Sequence, residues 1–361
     1  MRWRCSVNSG ANTESCSDMP AVLVTGAGGF IGGWVVRECL SRNWTVRAAI
    51  HQHVPLWLRE HERADRLRLV TVDLEDPGQV AAMGLPSEGI RNFDALIHCA
   101  GRASDVGWRG RFRRANLEAV QHVGRWVMQQ PACRLVFLST TDVYGLRDFQ
   151  GEGEESLALG AYPCNPYPWF KIEAERWIRE TMPPDRYVIL RPAQVWGVGD
   201  TTLTRRIVAF LRNSPWIVHF GKWRGGNRWP LAHVRNVATA CVLAGTTTAF
   251  AGQAIHVLDD EYTTMDDWYR LVAGIYLPGR RYRTITVPMA LGAMIGVPVE
   301  WISSGLNLAH PFMDPTYYAL HAVSRNLDFG NQRLKELFAD AGERLVTRSE
   351  GLEELRSGLG R

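Results

Sequence analysis

The sequence predicts an α/β fold: one parallel, doubly wound sheet with helices on both faces, followed by a smaller and mostly helical lobe. Two observations lead to this prediction. Short apolar runs typical of buried strands alternate with helix-like segments through the first half of the chain, as in repeated βαβ units. A glycine-rich loop also joins the first such run to the first helical segment.

The predicted strands of the sheet follow from apolar runs bounded by turn residues. They lie at 21–26, 45–50, 66–74, 93–101, 134–140 and 187–192, with a later strand at 254–259. Apolar residues at helical spacing predict helices between them, including 31–42 and one that begins with NPYPWFK at 165–171. After Arg191 the alternation loosens, and helices predominate to the end of the chain.

Composition excludes several classes of protein. An apolar content of 46% and a charged content of 22% are those of a globular chain. A net charge of +4 is too small and dispersed to indicate nucleic-acid binding. The seven cysteines form no CxxC pair, so neither a zinc site nor a disulfide framework is predicted, and reduced thiols in a cytoplasmic protein are expected. No metal site is predicted, and no apolar run is long enough to span a bilayer.

The glycine loop reads TGAGGFIG, in which Gly26, Gly29 and Gly32 are three residues apart. Glycines in this pattern allow a tight turn, a close approach of the backbone to a pyrophosphate, and close packing of helix on strand. The anion then lies at the helix N-terminus, where free N–H groups and the dipole favour it. This context favours dinucleotide binding by a Rossmann-type domain over a simple turn.

The domain organisation follows from that assignment. We expect a dinucleotide-binding domain at 19–191, to which 232–258 returns, and a substrate-binding lobe at 192–361. Residues 1–18 are polar and lack the apolar segment of a secretory signal, so they are expected to be a disordered extension.

The segment after the second strand bears on the choice of cofactor. It reads TVRAAIHQH and lacks the acidic residue that commonly binds the adenosine ribose 2′-hydroxyl. Arg47 and His51 are the polar candidates instead, which tilts the prediction slightly toward NADP(H) over NAD(H). Asp73, after the third strand, is placed either to meet the adenine amine or to cap a helix.

Tyr167 and Lys171 are four residues apart, so on a helix they share one face. A tyrosine has an ordinary pKa of about 10 and needs a nearby cation to act as a base near neutrality. Lys171 would supply one, and Tyr167 could then exchange a proton with a substrate hydroxyl or carbonyl while hydride passes to or from a nicotinamide.

Four motifs occur in one order: TGAGGFIG, STTDVYG after the fifth strand, YPWFK, and RPAQVWG after the sixth strand. This order resembles that of the extended short-chain dehydrogenase/reductase superfamily, from about residue 21 to 340. The resemblance implies that Thr140 hydrogen-bonds the reacting oxygen, that Lys171 also holds the nicotinamide ribose, and that Asn116 is structural. With the residues above, the implied NAD or NADP site comprises Gly26, Gly29, Phe30, Ile31, Gly32, His51, Asp73, Leu74, Ala100 and Lys171.

Departures from family patterns narrow the reaction. Sugar-nucleotide dehydratases carry an Asp-Glu pair after the site threonine, whereas Thr141 and Asp142 follow here. Asp142 completes a pattern that resembles the nucleotide-sugar decarboxylases, so that branch stays an alternative. Gln194 stands where enzymes that grip a nucleotide diphosphate usually have asparagine. The remaining branch resembles 3β-hydroxysteroid dehydrogenases and dihydroflavonol reductases.

Candidate substrate contacts are Asp142, Trp169, Gln194 and Trp196, since several tryptophans in segments near the pocket suit a flat apolar substrate. The apolar stretch 287–302 is either a lid helix similar to that of the steroid enzymes or a core helix. Arg109, Arg111, Arg113 and Arg114 could hold an anion near the pocket mouth, although such a run is more often a solvated helix face.

The sequence is compatible with three functions. The first is an NAD(P)(H)-dependent oxidoreductase that interconverts a secondary alcohol and a ketone on a fairly apolar, steroid-like, polycyclic or aryl substrate. The second is a nucleotide-sugar 4-epimerase or decarboxylase with tightly bound NAD+. The third, a cofactor-sensing protein without catalysis, is disfavoured because Tyr167, Lys171 and Thr140 are all present. The resemblance also implies a homodimer through the helix at 166–182, and small molecules are the expected partners.

Overall fold

The computed structural model describes residues 19–62, 66–84, 92–160 and 165–359. The prediction of a disordered extension at 1–18 lies outside the described residues. Within them, the predicted α/β class and the doubly wound sheet are confirmed.

A seven-stranded parallel sheet forms the centre of the molecule, in the order β10-β6-β5-β4-β1-β2-β3. The order reverses direction between β1 and β4, and in such sheets ligands bind beyond the carboxyl ends of the strands at that point. The strands are β1 (Ala21–Thr25), β2 (Thr45–Ile50), β3 (Leu67–Thr71), β4 (Ala95–His98), β5 (Arg134–Leu138), β6 (Tyr187–Pro192) and β10 (Ala254–Val257).

The central strands are buried on both faces, as expected for a parallel sheet covered by helices. One apolar core packs α1 and α8 against one face, and a second core packs α5 and α6 against the other. The helices of this part are α1 (Phe30–Ser41), α2 (Leu56–His61), α3 (Pro77–Ala82), α4 (Arg109–Arg113), α5 (Ala119–Gln129), α6 (Pro166–Thr181) and α8 (Val234–Thr246).

A third core lies on the C-terminal side and contains Trp196, Trp229 and Trp268. Two small parallel sheets flank it: β7 (Gln194–Trp196) pairs with β9 (Leu231–His233), and β8 (Trp216–Phe220) pairs with β11 (Arg283–Val287). The helices here are α7 (Leu203–Asn213), α9 (Met265–Tyr276), α10 (Met289–Gly305), α11 (Tyr317–Val323), α12 (Gln332–Asp340) and α13 (Arg348–Leu359).

Later segments of the chain also belong to this layer: β10 pairs with β6, and α8 packs on α1. The domain boundaries drawn from the sequence stay a prediction. Among the described residues, no helix combines the length and apolarity needed to cross a bilayer.

Candidate active site

The glycine loop between β1 and α1 brings the backbone of three segments close together. Gly26 has φ +67°, and a Cβ on it would lie 2.7 Å from the Ala100 backbone nitrogen. A Cβ on Gly32 would lie 2.2 Å from the Gly26 carbonyl oxygen. Side chains at these two positions would push α1 and the end of β4 away from β1, so the turn requires glycine.

The N-terminus of α1 is open to an anion. Its N-cap is Gly29, no side chain caps it, and its first turn contains no acidic residue. Phe30 and Ile31 occupy that turn, and Phe30 also lies beside Gly199 of the loop after β7. The uncapped N–H groups and the helix dipole fit a dinucleotide pyrophosphate.

At the predicted adenosine end of the cofactor site, Arg47 and His51 have different surroundings. Arg47 is buried and donates to the Met83 carbonyl oxygen at 3.1 Å, so it does not reach the end of β2. His51 is exposed there, with Nε2 3.9 Å from an oxygen of Asp73. The other Asp73 oxygen accepts from the Glu75 backbone, and the cap of α3 is Asp76. Leu74 is partly buried, and its carbonyl accepts from His122.

Lys171 is buried beneath the carboxyl end of β5. Its Nζ donates to the Leu138 carbonyl oxygen at 2.6 Å and lies 4.6 Å from the centre of the Phe137 ring. Burial lowers the pKa of Lys171 to about 8, while the neighbouring Cys99 and Glu175 raise it. The ammonium is thus fixed one helical turn from Tyr167.

Tyr167 and Thr140 meet at the N-terminus of α6. Asn165 caps that helix and accepts from the Tyr167 backbone N–H at 2.8 Å, which orients its first turn. Burial raises the pKa of Tyr167, the Asp142 carboxylate raises it further, and a hydrogen bond with the Thr140 side chain lowers it. The structure therefore brings the three predicted catalytic side chains to one place.

Asn116 holds the loop after β4. Its side chain is fully buried, accepts from the Arg102 backbone N–H at 2.9 Å and donates to the Arg102 carbonyl at 3.0 Å. It lies in a π-helical turn (Arg114–Glu118) between α4 and α5. Such turns are frequent at functional sites because they redirect a side chain. A Cβ on Gly101 would lie 2.9 Å from the Asn116 Oδ1 and 3.5 Å from the Lys171 Nζ.

Asp142 has a partner that the sequence does not reveal. The Tyr318 hydroxyl donates to its Oδ2 at 2.5 Å, from a position 176 residues later in the chain. Burial raises the pKa of Asp142, and hydrogen bonds from Tyr318 and Thr140 oppose that rise. Tyr318 and Thr140 thus hydrogen-bond this partly buried carboxyl group, whose charge raises the pKa of Tyr167.

Glu300 of α10 holds Tyr318, the hydrogen-bond partner of Asp142, in place. Its Oε2 accepts from the Tyr318 backbone N–H at 2.8 Å. Burial raises the pKa of Glu300 to about 7, the hydrogen bond from Tyr318 lowers it, and the negative charge of Asp105 adds to the rise. No spacing rule links Glu300 or Tyr318 to Tyr167, so only the folded chain reveals them.

The remaining predicted substrate residues lie apart from one another. Trp169 is 39% exposed, with the Arg109 guanidinium 4.8 Å from its ring centre. Gln194 is partly buried in β7. Trp196 is fully buried, donates to Asp259 and packs against Trp268, so the structure places it in the third core and not beside Tyr167.

Comparison with known sequences and structures identifies the family and agrees with the fold. Residues 22–257 match the sequence model of the NAD dependent epimerase/dehydratase family. The structure of MoeE5 in complex with UDP-glucuronic acid and NAD superposes with a TM-score of 0.67 at 20% identity, over 94% of this chain and 99% of that one. At that identity the likeness concerns the fold.

Two relatives with assigned activities are similar in sequence. The 4-hydroxy-2-methyl-3-oxo-4-farnesyl-3,4-dihydroquinoline-1-oxide ketoreductase of Stigmatella aurantiaca is 25% identical over 62% of this chain and 63% of its own length. The match therefore spans less than two thirds of that relative. The 3 beta-hydroxysteroid dehydrogenase/Delta 5-->4-isomerase of Mycobacterium tuberculosis is 24% identical over 87% of this chain and 86% of its length.

Proposed function

We propose that this protein interconverts a secondary alcohol and a ketone on an apolar substrate. The chain belongs to the NAD-dependent epimerase/dehydratase family and is an NAD(P)-dependent oxidoreductase of the extended short-chain dehydrogenase/reductase type. The observation that carries the proposal is the meeting of Tyr167, Thr140 and Lys171 at the carboxyl end of β5.

Each of these side chains has a role that follows from its surroundings. In the reducing direction the Tyr167 hydroxyl donates its proton to the carbonyl oxygen, and in the oxidising direction the phenolate accepts one from the alcohol. Thr140 donates a hydrogen bond to the same oxygen. Lys171 stabilises the phenolate electrostatically, which offsets the rise in pKa that burial and Asp142 impose on Tyr167.

The cofactor site fits a nicotinamide dinucleotide. The open N-terminus of α1 would hold the pyrophosphate, and Lys171 would hold the nicotinamide ribose. The bound nicotinamide supplies the hydride or accepts it. The preference for NADP(H) stays a prediction with less support, because Arg47 is buried away from the end of β2. The relative kcat/KM values with NADH and NADPH would test it.

An apolar substrate is proposed from two features. The two relatives are named for a farnesylated quinoline and for a steroid, both apolar polycyclic compounds. In this chain, Trp108 and Trp169 are exposed near the N-terminus of α6, and Phe312 and Met313 are exposed near the end of α10.

The test is to incubate the protein with a panel of apolar ketones and NADH or NADPH. The rate of reduction is measured from the decrease in absorbance of the reduced nicotinamide. For an active ketone, Tyr167→Phe is expected to lower kcat by about 10²- to 10⁴-fold, because the proton donor is lost. Tyr262→Phe, at a residue that is 51% exposed, is the matched control and should leave kcat unchanged.

Two results would contradict the proposal. One is an unchanged kcat for Tyr167→Phe in a correctly folded variant. The other is release of stoichiometric NAD+ on denaturation together with no net turnover of any ketone or alcohol, which would favour the epimerase alternative.

A further inference from the structure

The outward face of α10 is apolar along its whole length. Leu291, Met294, Ile295, Val297, Trp301, Ile302 and Leu306 at its C-cap are between 42% and 78% exposed, and we call this set the apolar stripe. The seven side chains recur at three- to four-residue spacing, so they form one continuous surface and not scattered exposed residues.

The inward face of α10 explains why the apolar side chains point outward. Its buried residues are Gly292, Gly296, Val299 and Ser303. A Cβ on Gly296 would lie 2.7 Å from Leu320 of α11, so the two helices pack closely through small residues. The one charged residue of the helix, Glu300, is turned inward to the Tyr318 backbone. The orientation of α10 is therefore fixed, and the stripe has no cover among the described residues.

The C-terminal end of the stripe adjoins a basic helix. The Trp108 backbone N–H donates to the Asn307 side chain at 3.2 Å, and its indole N–H donates to the Gly305 carbonyl at 3.5 Å. Trp108 is 58% exposed and is the N-cap of α4, which reads RGRFR. The end of α10 and the start of α4 thus form one surface.

The positive charge of this surface is only partly compensated. Arg113 pairs with Glu118, but within the described part of the chain Arg109 and Arg111 form no ion pair. Arg102 lies behind them, where burial lowers its pKa and the charge of Arg111 adds to that effect. Its Nε and Nη2 atoms are buried and lack hydrogen-bond partners among the described residues.

Hydrogen bonds connect the same surface to the candidate active site. Asp105 belongs to the loop that contains Trp108, and its carbonyl accepts from Asn165, the cap of the helix that carries Tyr167. Its carboxylate accepts from Thr316, immediately before α11. The loop before α4 is therefore tied by hydrogen bonds to the start of α6, which carries Tyr167, and to the start of α11, on which α10 packs.

We infer that the apolar stripe and the adjoining basic helix α4 dock this protein on the surface of an anionic phospholipid bilayer, with the approach to Tyr167 facing the lipid. An apolar helix face inserts into the interface, exposed tryptophans suit the headgroup level, and nearby arginines attract anionic lipids. An apolar substrate dissolved in the bilayer would then enter without crossing water.

Charge argues for lipid over a second copy of the chain. Neither α10 nor α4 presents an outward carboxylate, because Glu300 faces Tyr318 and α4 has none. A second copy seated on this face would bring arginines toward arginines or toward bare apolar surface. Lipid phosphates, in contrast, are complementary to Arg109 and Arg111.

The test is flotation of the full chain with vesicles of phosphatidylcholine, with and without phosphatidylglycerol. We expect the protein to float with the mixed vesicles. With the neutral vesicles, roughly tenfold less protein should float, because the electrostatic attraction of the arginines to anionic lipid is lost. No nucleotide or substrate is present, so this result is independent of the proposed reaction. A protein that floats but has no activity would refute only the proposed function. A protein that is active but does not float would refute only the docking.

Two pairs of variants locate the surface. Trp301→Asp is expected to abolish flotation, whereas Leu56→Asp, at a side chain 72% exposed on α2, should not alter it. Arg111→Glu should weaken binding to mixed vesicles roughly tenfold or more, whereas Arg356→Glu on α13 should have no effect.

Three outcomes would overturn the inference. The first is wild-type protein that floats with neither type of vesicle. The second is flotation unchanged by Trp301→Asp in a folded variant. The third is a wild-type dimer that Trp301→Asp converts to a monomer without any vesicle binding, which would make this face an interface between copies. Thermal unfolding and sedimentation of each variant separate these outcomes from loss of folding.

Discussion

The helices α8 and α10 have similar apolar compositions but opposite environments. α8 buries ten of its residues in the core beneath the sheet, among them Val237, Ala240 and Val242. α10 buries four, two of them glycines, and exposes its large apolar side chains. Hydropathy alone therefore does not determine burial here. α8 packs against the sheet and against the neighbouring helices α1 and α12, whereas α10 packs mainly on α11 and on Phe220 of β8, along one side.

The largest expected contrast is in stability. Val237→Asp places a carboxylate in the dry core of α8 and is expected to destabilise the fold by about 4 kcal/mol or more. Ile295→Asp makes a comparable change at a side chain that is 52% exposed on α10, and it should alter stability by no more than about 0.5 kcal/mol.

Urea unfolding of both variants measures this contrast through the midpoint at constant slope. Equal destabilisation by the two substitutions would mean that α10 is covered in solution, and the distinction between the helices would then fail.

The same contrast limits what the sequence predicts. The strands and the glycine loop follow from local patterns, since Gly26 and Gly32 must be glycine for reasons internal to one turn. Tyr167 and Lys171 are predictable because they lie four residues apart on one helix. Thr140 is predictable only through the resemblance of STTDVYG to the family motif.

Other features depend on packing between distant segments and were not predictable. The sequence predicts that Trp196 lines the pocket, but it packs on Trp268 of α9 in the third core, far along the chain. The stretch 287–302 was expected to be a lid or a core helix, and its outward apolar face fits a core helix poorly. Tyr318 reaches Asp142 only because α10 positions α11.

The packing of α10 on α11 can be tested next. Gly296→Val would force a Cβ within 2.7 Å of Leu320 and 2.9 Å of the Tyr317 backbone nitrogen. We expect a loss of about 1–3 kcal/mol and a drop in kcat/KM, because α11 and Tyr318 must move. Gly305→Val on the same helix is the control, since nothing lies within 4 Å of its Cβ. If both variants unfold at the same urea concentration, the close packing is not a constraint.

Glu300 gives the packing of α10 a dependence on pH. Burial raises its pKa to about 7, so between its unfolded pKa and that value the native chain holds a proton that the unfolded chain releases. Stability from this group is full at acidic pH and is lost as pH rises through about 7. Glu300→Gln should remove on the order of 1–3 kcal/mol of that pH-dependent loss.

The measurement is unfolding free energy against pH for the wild type, Glu300→Gln and the exposed control Glu180→Gln. The control should follow the wild-type curve. A wild-type curve parallel to that of Glu300→Gln would show that Glu300 does not titrate with folding.

The smallest expected effect tests the link from α11 to the site. Tyr318→Phe removes the hydroxyl that donates to Asp142, and that hydrogen bond opposes the rise in the Asp142 pKa. In the variant, Asp142 should take up a proton at a higher pH. The acid limb of the kcat/KM profile should therefore move upward, with a loss of roughly tenfold near that limb.

The matched control is Tyr317→Phe, since the Tyr317 ring packs edge-on against His321 of the same helix. Asp142→Asn should remove the acid limb, because an amide does not titrate, and adding Tyr318→Phe to it should change little more, because the two side chains act as one unit. Additive losses in the double variant would show that Tyr318 acts on the reaction independently of Asp142. Non-additive losses would mean that Tyr318 acts through Asp142. The packing of α10 on α11, which holds Tyr318 in place through Glu300, would then contribute to proton transfer at the carboxyl end of the sheet.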